Sequence, residues 1–444
     1  MVQNKIQNYI HKLSETLFNE LQGDEQLSLF LHSEESSFYR FNRSLVRQNS
    51  HVQQHELAIQ FYKEERILKN CINLTLNLEL DLKTALDIMD NSRQQALLMD
   101  KNPQFVKIKN NGHSSVIKKS TYPSDEQIPQ IVHELFSDTD LAGLWCSGPL
   151  RQVSINSEGQ FHFFETDFFF FDYSLYNGPL AAKGYYSENQ FDLNTFNQQA
   201  QFTKNKLKLL SKPLQKISKG QYKVYLEPMA MAEILWSMGW STLSQSQFNK
   251  GHAPLKKLKE KLSLFSSKVN FTENFELGMT PEFNSLGELS LPHIKLIENG
   301  HLNTLLISTA TAQEYKLETN FADPKESPRS LELGAGQLQT DQVLQKLDTG
   351  LYLSNLHYIN YSDIQSARIT GMTRFASFWV EKGEIIGPIQ DLRFDESLYN
   401  IFGPNLIDLT TERSTFVDIG TYQKRSLGVL KTPGALINNF NFTL

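Results

Sequence analysis

The chain has 444 residues, a net charge of −6 and a pI of about 6.0. This acidic balance argues against a general nucleic-acid binder, which needs a basic surface, and gives no reason to expect attraction to an anionic membrane. No run of about 18 apolar residues predicts a transmembrane helix, and the N-terminus lacks the apolar core of a signal peptide. The only two cysteines, Cys71 and Cys146, are typical of thiols in a reducing compartment. Together these features predict a cytoplasmic protein.

Residues 1–110 are predicted to form an N-terminal α/β domain. Apolar residues recur at helical spacing over residues 6–21, which predicts an amphipathic opening helix with one buried face. Apolar and polar residues alternate over residues 57–61 and again over residues 72–78, which predicts strands. A helix is expected to follow, with Asp81 as its N-cap.

Residues 111–220 are predicted to form a middle domain. The polar stretch 104–122 indicates a linker or an exposed hairpin. Four consecutive phenylalanines at residues 168–171 favour a central strand covered on both faces, with an aromatic ligand shelf as the alternative. Six lysines within residues 204–219 are expected to lie on a solvated helix face rather than in a nucleic-acid patch.

Residues 221–444 are predicted to form a C-terminal β-rich domain that begins with a strand and a helix over residues 229–248. Pro228 suits an early helical position. Two turn signals, Asn299-Gly300 and Lys382-Gly383, predict hairpins further along. The predicted fold class is therefore α+β, with an N-terminal α/β region followed by a mostly antiparallel β C-terminal domain.

The sequence contains no complete motif for catalysis among the common classes. The chain has no nucleophile elbow, no phosphate-binding loop and no dinucleotide fingerprint. Two His-Glu dipeptides, at His55 and His133, lack the second histidine four or five residues later that a zinc peptidase needs. Glu381 and Glu384 flank a predicted turn, and we interpret them as solvated surface acids. No catalytic residue is predicted.

The C-terminal half resembles the TldD/PmbA family of peptidases. The segment 349–394 contains a GLYLSN strand, a TGMTRFASFWVEKGEI stretch and a following proline, in the order typical of that family. The segments FNSLGELSLPHIKLIENGHL and SSFYRFNRSLVRQNSHVQQHELAIQFY match further family motifs in order and spacing. Met372 and Phe375 depart from the family pattern, which usually has Asp and Gly at these positions.

The resemblance implies a particular place for zinc. In one type of subunit of this family, an HExxxH helix and a later cysteine hold the catalytic metal. The corresponding helix here has Trp236 and Ser241 at the two histidine positions and Ser237 at the glutamate position, and no cysteine follows Cys146. The resemblance therefore implies a degenerate site that holds no metal or other cofactor.

Two hypotheses about function follow from this resemblance. The first is a non-catalytic, TldE-type subunit that pairs with a zinc-bearing TldD-like chain in a peptidase acting on peptides. The alternative is a zinc-free homodimer that binds peptides or proteins without hydrolysing them. In either case Trp240, Arg374, Phe378 and Trp379 are the predicted peptide or partner contacts. An independent enzyme that uses carboxylates is a third hypothesis.

Overall fold

The computed structural model describes residues 2–103 and 105–443. Within them, the N-terminal half forms a seven-stranded sheet in the order β3-β2-β1-β5-β6-β4, and β7 also pairs with β6. All neighbours are antiparallel except β4 and β6. The elements of this half are α1 (Val2–Asn19), β1 (Gln26–Asn42), β2 (Leu45–Lys63), β3 (Arg66–Asn73), α2 (Leu78–Ala96), β4 (His113–Lys118), α3 (Gln127–Phe136), β5 (Asp140–Asn156), β6 (Phe161–Asn177), β7 (Leu180–Tyr186) and α4 (Leu193–Leu209).

Helices cover one face of this first sheet. Because side chains alternate along a strand, Leu27, Leu29 and Leu31 all point to that face, where they pack against α1 and α2. Phe169 and Phe171 point the same way at the far end of the sheet and pack against α3 and α4. The predicted amphipathic opening helix is confirmed.

The opposite face of the first sheet packs against the C-terminal half. Phe168 and Phe170 share a core cluster with Val417 and Val429 of the second sheet. The prediction of a central strand with both faces covered is therefore confirmed for residues 168–171, and the four rings are core residues rather than a ligand shelf.

The second half is built around a larger sheet. Thirteen strands of the described chain belong to it, and its main path runs β11-β10-β9-β12-β20-β8-β13-β16-β17, with β14, β15, β18 and β19 joined to it. The elements are β8 (Gly220–Leu226), α5 (Pro228–Met238), α6 (Gln245–Asn249), α7 (Lys256–Lys259), β9 (Phe271–Asn274), β10 (His293–Glu298), β11 (His301–Leu302), α8 (Thr309–Tyr315), β12 (Ser330–Leu333), α9 (Val343–Leu347), β13 (Gly350–Leu353), β14 (Asn355–Asp363), β15 (Arg368–Arg374), β16 (Phe378–Glu381), β17 (Glu384–Pro388), β18 (Arg393–Ser397), α10 (Leu398–Ile401), β19 (Leu406–Val417) and β20 (Val429–Phe442).

Both predicted hairpins of the second half form. Asn299 and Gly300 connect β10 to β11 with φ angles of 49° and 78°. Lys382 and Gly383 connect β16 to β17 with φ angles of 50° and 78°. Positive φ at both central residues is what a tight two-residue hairpin requires. The α+β fold class, with antiparallel pairing dominant, is confirmed.

Several local predictions are wrong. The stretch 104–122 is not a linker or hairpin, because β4 within it pairs in parallel with β6. The strand predicted over residues 72–78 ends at Asn73. Asp81 is not an N-cap: Asn77 caps α2, and Asp81 lies in the first turn of that helix. The first error arises because β6, the strand that pairs with β4, is distant in sequence, whereas the N-cap error concerns hydrogen bonds between neighbours along the chain.

The helix expected over residues 229–248 is shorter than predicted. It ends at Met238, and a turn separates it from α6. The lysine run is also only partly solvated, because Lys204 and Lys206 are buried. Their ammonium groups are paired with Asp138 at 2.6 Å and with Glu227 at 2.9 Å.

Of the two predicted domain boundaries, only the one at residue 220 coincides with the border between the two sheets. Strands on both sides of residue 110 belong to the first sheet, whereas residue 220 begins the first strand of the second sheet. The division into three separate domains stays a prediction. No helix among the described residues is long and apolar enough to cross a membrane.

Candidate functional site

Helix α5 is the element that the family resemblance singles out. Its inward face consists of Met231, Ile234, Leu235 and Met238, all buried in the main core cluster, as their helical spacing predicts. Pro228 stands at the first helical position, where its missing N–H costs nothing. The core therefore fixes which side of α5 faces outward.

The side chains at the positions that the resemblance assigns to zinc ligands are not those of a zinc site. The indole of Trp236 is half-buried and packs near Gly428. A Cβ atom added to Gly428 would lie 3.7 Å from the indole ring. Ser237 is buried, and its hydroxyl donates a 2.6 Å hydrogen bond to the carbonyl oxygen of Ile234 in the same helix. Ser241 lies in the turn that follows α5 and is half-buried. None of the three side chains supplies the imidazole or carboxylate of a zinc peptidase site.

These residues do not fit a zinc ion. An indole N–H is a hydrogen-bond donor only, and the Ser237 hydroxyl is already directed at its own helix. Across residues 2–103 and 105–443, no group of three or more His, Cys, Asp or Glu side chains is placed to hold a metal. Cys146 belongs to the first sheet, where burial raises the pKa of its thiol to about 12. We therefore derive no chemistry through a metal.

The outward face of α5 meets an ion pair from the first sheet. Glu233 precedes Trp236 by three residues and Trp240 by seven, so the three positions share one side of the helical path. Desolvation by the surrounding protein raises the pKa of Glu233, while nearby Lys183 lowers it and Asp172 raises it. Lys183 and Asp172 form an ion pair at 2.5 Å.

This ion pair lines an open cleft of about 540 Å³. The cleft is formed by the ends of β1, β5 and β6, by Lys183 of β7 and by Thr421 from the loop between β19 and β20. Strand β7 pairs only with β6 among the described strands, so its second edge has no strand partner. The cleft thus lies on the first sheet, and Thr421 is the residue of the second half that lines it.

Phe375 lies between two cations near this cleft. Its ring centroid is 5.3 Å from the guanidinium of exposed Arg374 and 6.0 Å from the ammonium of Lys183. Its φ of 59° is in the left-handed region, at the position where the family usually has glycine. Aromatic rings attract cations over such distances. The ring therefore links Arg374 to the Lys183–Asp172 pair.

The other predicted contact residues are dispersed. Trp240, in the turn after α5, is 60% exposed and available for contact. Phe378 is fully buried against Ala182 and Ala376, so its side chain offers no surface to a peptide. Trp379 is half-buried, and its indole N–H donates to Glu381 at 2.7 Å. The structure brings only Arg374 close to the cleft charges.

Sequence reasoning missed Lys183, Asp172 and Glu233. Each lies in a different element, namely β7, β6 and α5, and no local motif connects them. Pairing of β6 with β7 brings Lys183 and Asp172 together, and packing of the second half on the first sheet brings Glu233 near them. A lysine alternating with small residues in β7 was the single local hint, and it is a weak one.

Comparison with known proteins defines the family. A model of the PmbA/TldA metallopeptidase C-terminal domain matches residues 219–443, slightly more than half of the chain. The chain belongs to the TldD/PmbA family. A search of curated proteins found no match.

Three solved structures share the fold of this TldD/PmbA family member. A protein described as a modulator of DNA gyrase from Thermotoga maritima aligns with a TM-score of 0.77 over 99% of this chain and 100% of its own. TldE from Thermococcus kodakarensis aligns with a TM-score of 0.75 over 99% and 100%. A second protein described as a modulator of DNA gyrase, from Bacteroides thetaiotaomicron, aligns with a TM-score of 0.78 over 100% of both chains. Each is 14% identical in sequence, so these matches establish the fold alone.

Proposed function

We propose that this chain is a metal-free, TldE-like subunit of a cytoplasmic peptidase complex, in which a zinc-bearing family chain performs the hydrolysis. The observation that carries the proposal is the chemistry of α5. The resemblance assigns zinc ligands to this helix and the turn after it, and the residues at those positions are Trp236, Ser237 and Ser241. A chain with this helix contributes surface and shape to a peptidase rather than a metal.

The cleft is suited to hold a peptide. The second edge of β7 presents backbone groups without a strand partner, and an extended peptide can add to such an edge through main-chain hydrogen bonds. The Lys183–Asp172 pair supplies charges of both signs in the cleft, and Phe375 connects Arg374 to Lys183. Pairing through main-chain hydrogen bonds gives affinity that depends little on the sequence of the peptide, which suits a subunit that handles varied peptides.

Reconstitution tests this proposal. The chain is co-purified with a zinc-bearing family chain from the same cells, and native mass spectrometry is expected to show a one-to-one complex with one zinc. Cleavage of an unstructured peptide by the partner should require this chain. Equal cleavage by the partner alone would contradict the proposal.

Matched variants separate cleft contacts from general charge effects. Lys183→Met with Arg374→Gln is expected to weaken peptide cleavage by the complex about tenfold or more, since two charged contacts are lost. Lys216→Gln with Lys219→Gln changes two exposed lysines outside the cleft and should leave cleavage unchanged. If both double variants behave alike, the cleft is not the peptide site.

A second candidate function is a zinc-free homodimer that binds peptides or proteins. It is favoured by the free edge of β2, because β3 pairs only with residues 56–63 of that strand. Residues 45–54 therefore have no described strand on that side, and residues 45–51 are all exposed. Edge strands of this kind readily pair with another chain. A metal-free homodimer with no second family chain in the native mass spectrum would favour this alternative.

A further inference from the structure

A second cavity lies on the same face of the first sheet as the Lys183 cleft, at the opposite end of β1 and β2. It has a volume of about 420 Å³ and lies between strands β2 and β3, the segment 106–111 and three segments of the second half. These segments are the loops at residues 285–288 and 323–325 and the start of α8 at residues 308–310. The cavity shares no lining residue with the Lys183 cleft. Cavities between structural units are common places for small ligands.

Four lysines converge on this cavity from different parts of the chain. They are Lys69 of β3, Lys107 and Lys109 of the connecting segment, and Lys325 of a loop in the second half. None of the four forms an ion pair with any carboxylate in the described part of the chain. In a protein with a net charge of −6, this is a local concentration of unpaired positive charge. A concave, one-sign surface of this kind raises the local concentration of oppositely charged ligands.

The two acids that line the cavity are engaged in hydrogen bonds. The carboxylate of Glu288 accepts from the side-chain amide of Asn284 at 2.8 Å and from the hydroxyl of Thr309 at 2.5 Å. The carboxylate of Asp323 accepts from the backbone N–H of Lys325 at 3.1 Å. These bonds hold the acids in place against the wall. With four lysines and only these two acids, the lining has an excess of positive charge that an anionic ligand can neutralise.

The cavity also has an apolar wall. Ile67, Val106, Ile108, Leu286 and Pro324 line it. Tyr62 completes this wall, and its ring is fixed edge-on against Phe105 at 6.1 Å. A purely ionic ligand, such as free phosphate, would leave this wall uncovered. The combination indicates a ligand with an anionic group and an apolar or aromatic body.

From this geometry we infer that the cavity binds a phosphorylated small molecule of about nucleotide size. Lysine ammonium groups are compact charges that serve as phosphate binders, and four of them match a group of more than one negative charge better than a single carboxylate. The volume falls within the range of about 300–1,000 Å³ that is typical of small-molecule sites. This inference does not depend on the proposed function, because the two sites share no residues.

Calorimetric titration of the full chain with ADP tests the inference. Binding is expected with ADP and, more weakly, with pyrophosphate, which lacks the apolar body. Adenosine should bind far more weakly, since it carries no charge. Raising the salt concentration should weaken ADP binding, as charge neutralisation requires. Absence of binding by both ADP and pyrophosphate at millimolar concentration would overturn the inference.

Two double variants distinguish the site from general electrostatics. Lys107→Gln with Lys325→Gln should weaken ADP binding about tenfold or more. Lys216→Gln with Lys219→Gln removes the same charge from exposed positions outside the cavity and should leave binding unchanged. Because all four residues are exposed, the variants are expected to unfold at the temperature of the parent chain. Equal weakening by both pairs, or tri-glutamate binding as tightly as pyrophosphate, would overturn the assignment to phosphate.

Discussion

The guanidinium of Arg425 lies 4.2 Å from the ring centroid of Phe168, at the contact between the two sheets. Arg425 belongs to the loop between β19 and β20 and is fully buried. Its guanidinium donates to the hydroxyl of Ser36 at 3.0 Å and to the carbonyl oxygens of Gly148 at 3.2 Å and Phe168 at 3.3 Å. The same loop carries Thr421 to the Lys183 cleft. Arg425 therefore anchors the loop that forms one wall of the candidate site.

Replacing Arg425 is expected to destabilise the protein strongly. Arg425→Met removes three hydrogen bonds and leaves buried acceptors unsatisfied, which should lower the free energy of unfolding by about 2–4 kcal/mol. The measurement is urea unfolding followed by circular dichroism. Lys424→Met is the matched control, because the neighbouring Lys424–Glu56 pair is partly exposed and should contribute less than about 1 kcal/mol. Equal losses in the two variants would contradict the anchoring role.

His32 should make stability depend on pH. Burial, chiefly, and the nearby Lys424 lower its pKa from 6.5 to about 4. The unfolded chain takes up a proton near pH 6.5 and the folded chain only near pH 4, so stability is full above pH 6.5 and is lost as the pH falls toward 4. The contribution is up to about 3 kcal/mol.

Urea unfolding at pH 7, 6 and 5 checks this expectation. His32→Asn should reduce the loss of stability between pH 7 and pH 5. Burial also lowers the pKa values of His55 and His162, so a residual slope should remain. His301→Asn alters an exposed histidine and should leave the slope unchanged. An unaltered slope in His32→Asn would refute the assignment.

The backbone at Phe375 should prefer glycine. Its φ of 59° disfavours any side chain, so Phe375→Gly is expected to be more stable than Phe375→Ala by about 1 kcal/mol. Both variants lose the ring contacts with Arg374 and Lys183, so their difference isolates the backbone. At exposed Met372, which has no positive φ, glycine should instead be the less stable of the pair. Denaturant midpoints of the four variants measure both differences.

Asp81 should matter more for stability than the residue that caps α2. Its carboxylate accepts from the backbone N–H and hydroxyl of Thr75, from the N–H of Leu76 and from the hydroxyl of Tyr9. Asp81→Ala leaves these donors without a partner and should cost about 2–4 kcal/mol. Asn77→Ala removes only the cap and should cost about 1 kcal/mol. If Asp81 served only as part of the helix end, thermal and urea unfolding would show a larger loss of stability for Asn77→Ala than for Asp81→Ala.

Restoring the ligand residues should not restore a zinc site. In the triple variant Trp236→His, Ser237→Glu, Ser241→His, residue 241 still lies in a turn beyond the end of α5, and no cysteine follows Cys146. Elemental analysis after dialysis against zinc is expected to show no more metal than in the parent chain. One zinc per chain would show that the geometry of a metal site is intact and that only the side chains are missing.

The sequence determined features that depend on neighbours along the chain. Helical spacing identified the buried faces of α1 and α5, since a helix places every third or fourth residue on one side. The Asn299-Gly300 and Lys382-Gly383 hairpins were predictable because few residue pairs tolerate two positive φ angles. The assignment of Trp236, Ser237 and Ser241 to ligand positions also came from a local motif, and it stays a prediction.

Tertiary structure decided what depends on distant partners. Strand β4 is almost entirely exposed on both faces, and its sequence therefore shows no alternation of buried and exposed residues. It is a strand because it pairs with β6. Lys206 is buried because Glu227 lies opposite it. Lys183 and Asp172 come together through the pairing of β6 with β7, and Glu233 of α5 approaches them only when the second half packs on the first sheet. Side chains that are far apart in sequence carry no shared local pattern, so their association is set by packing alone.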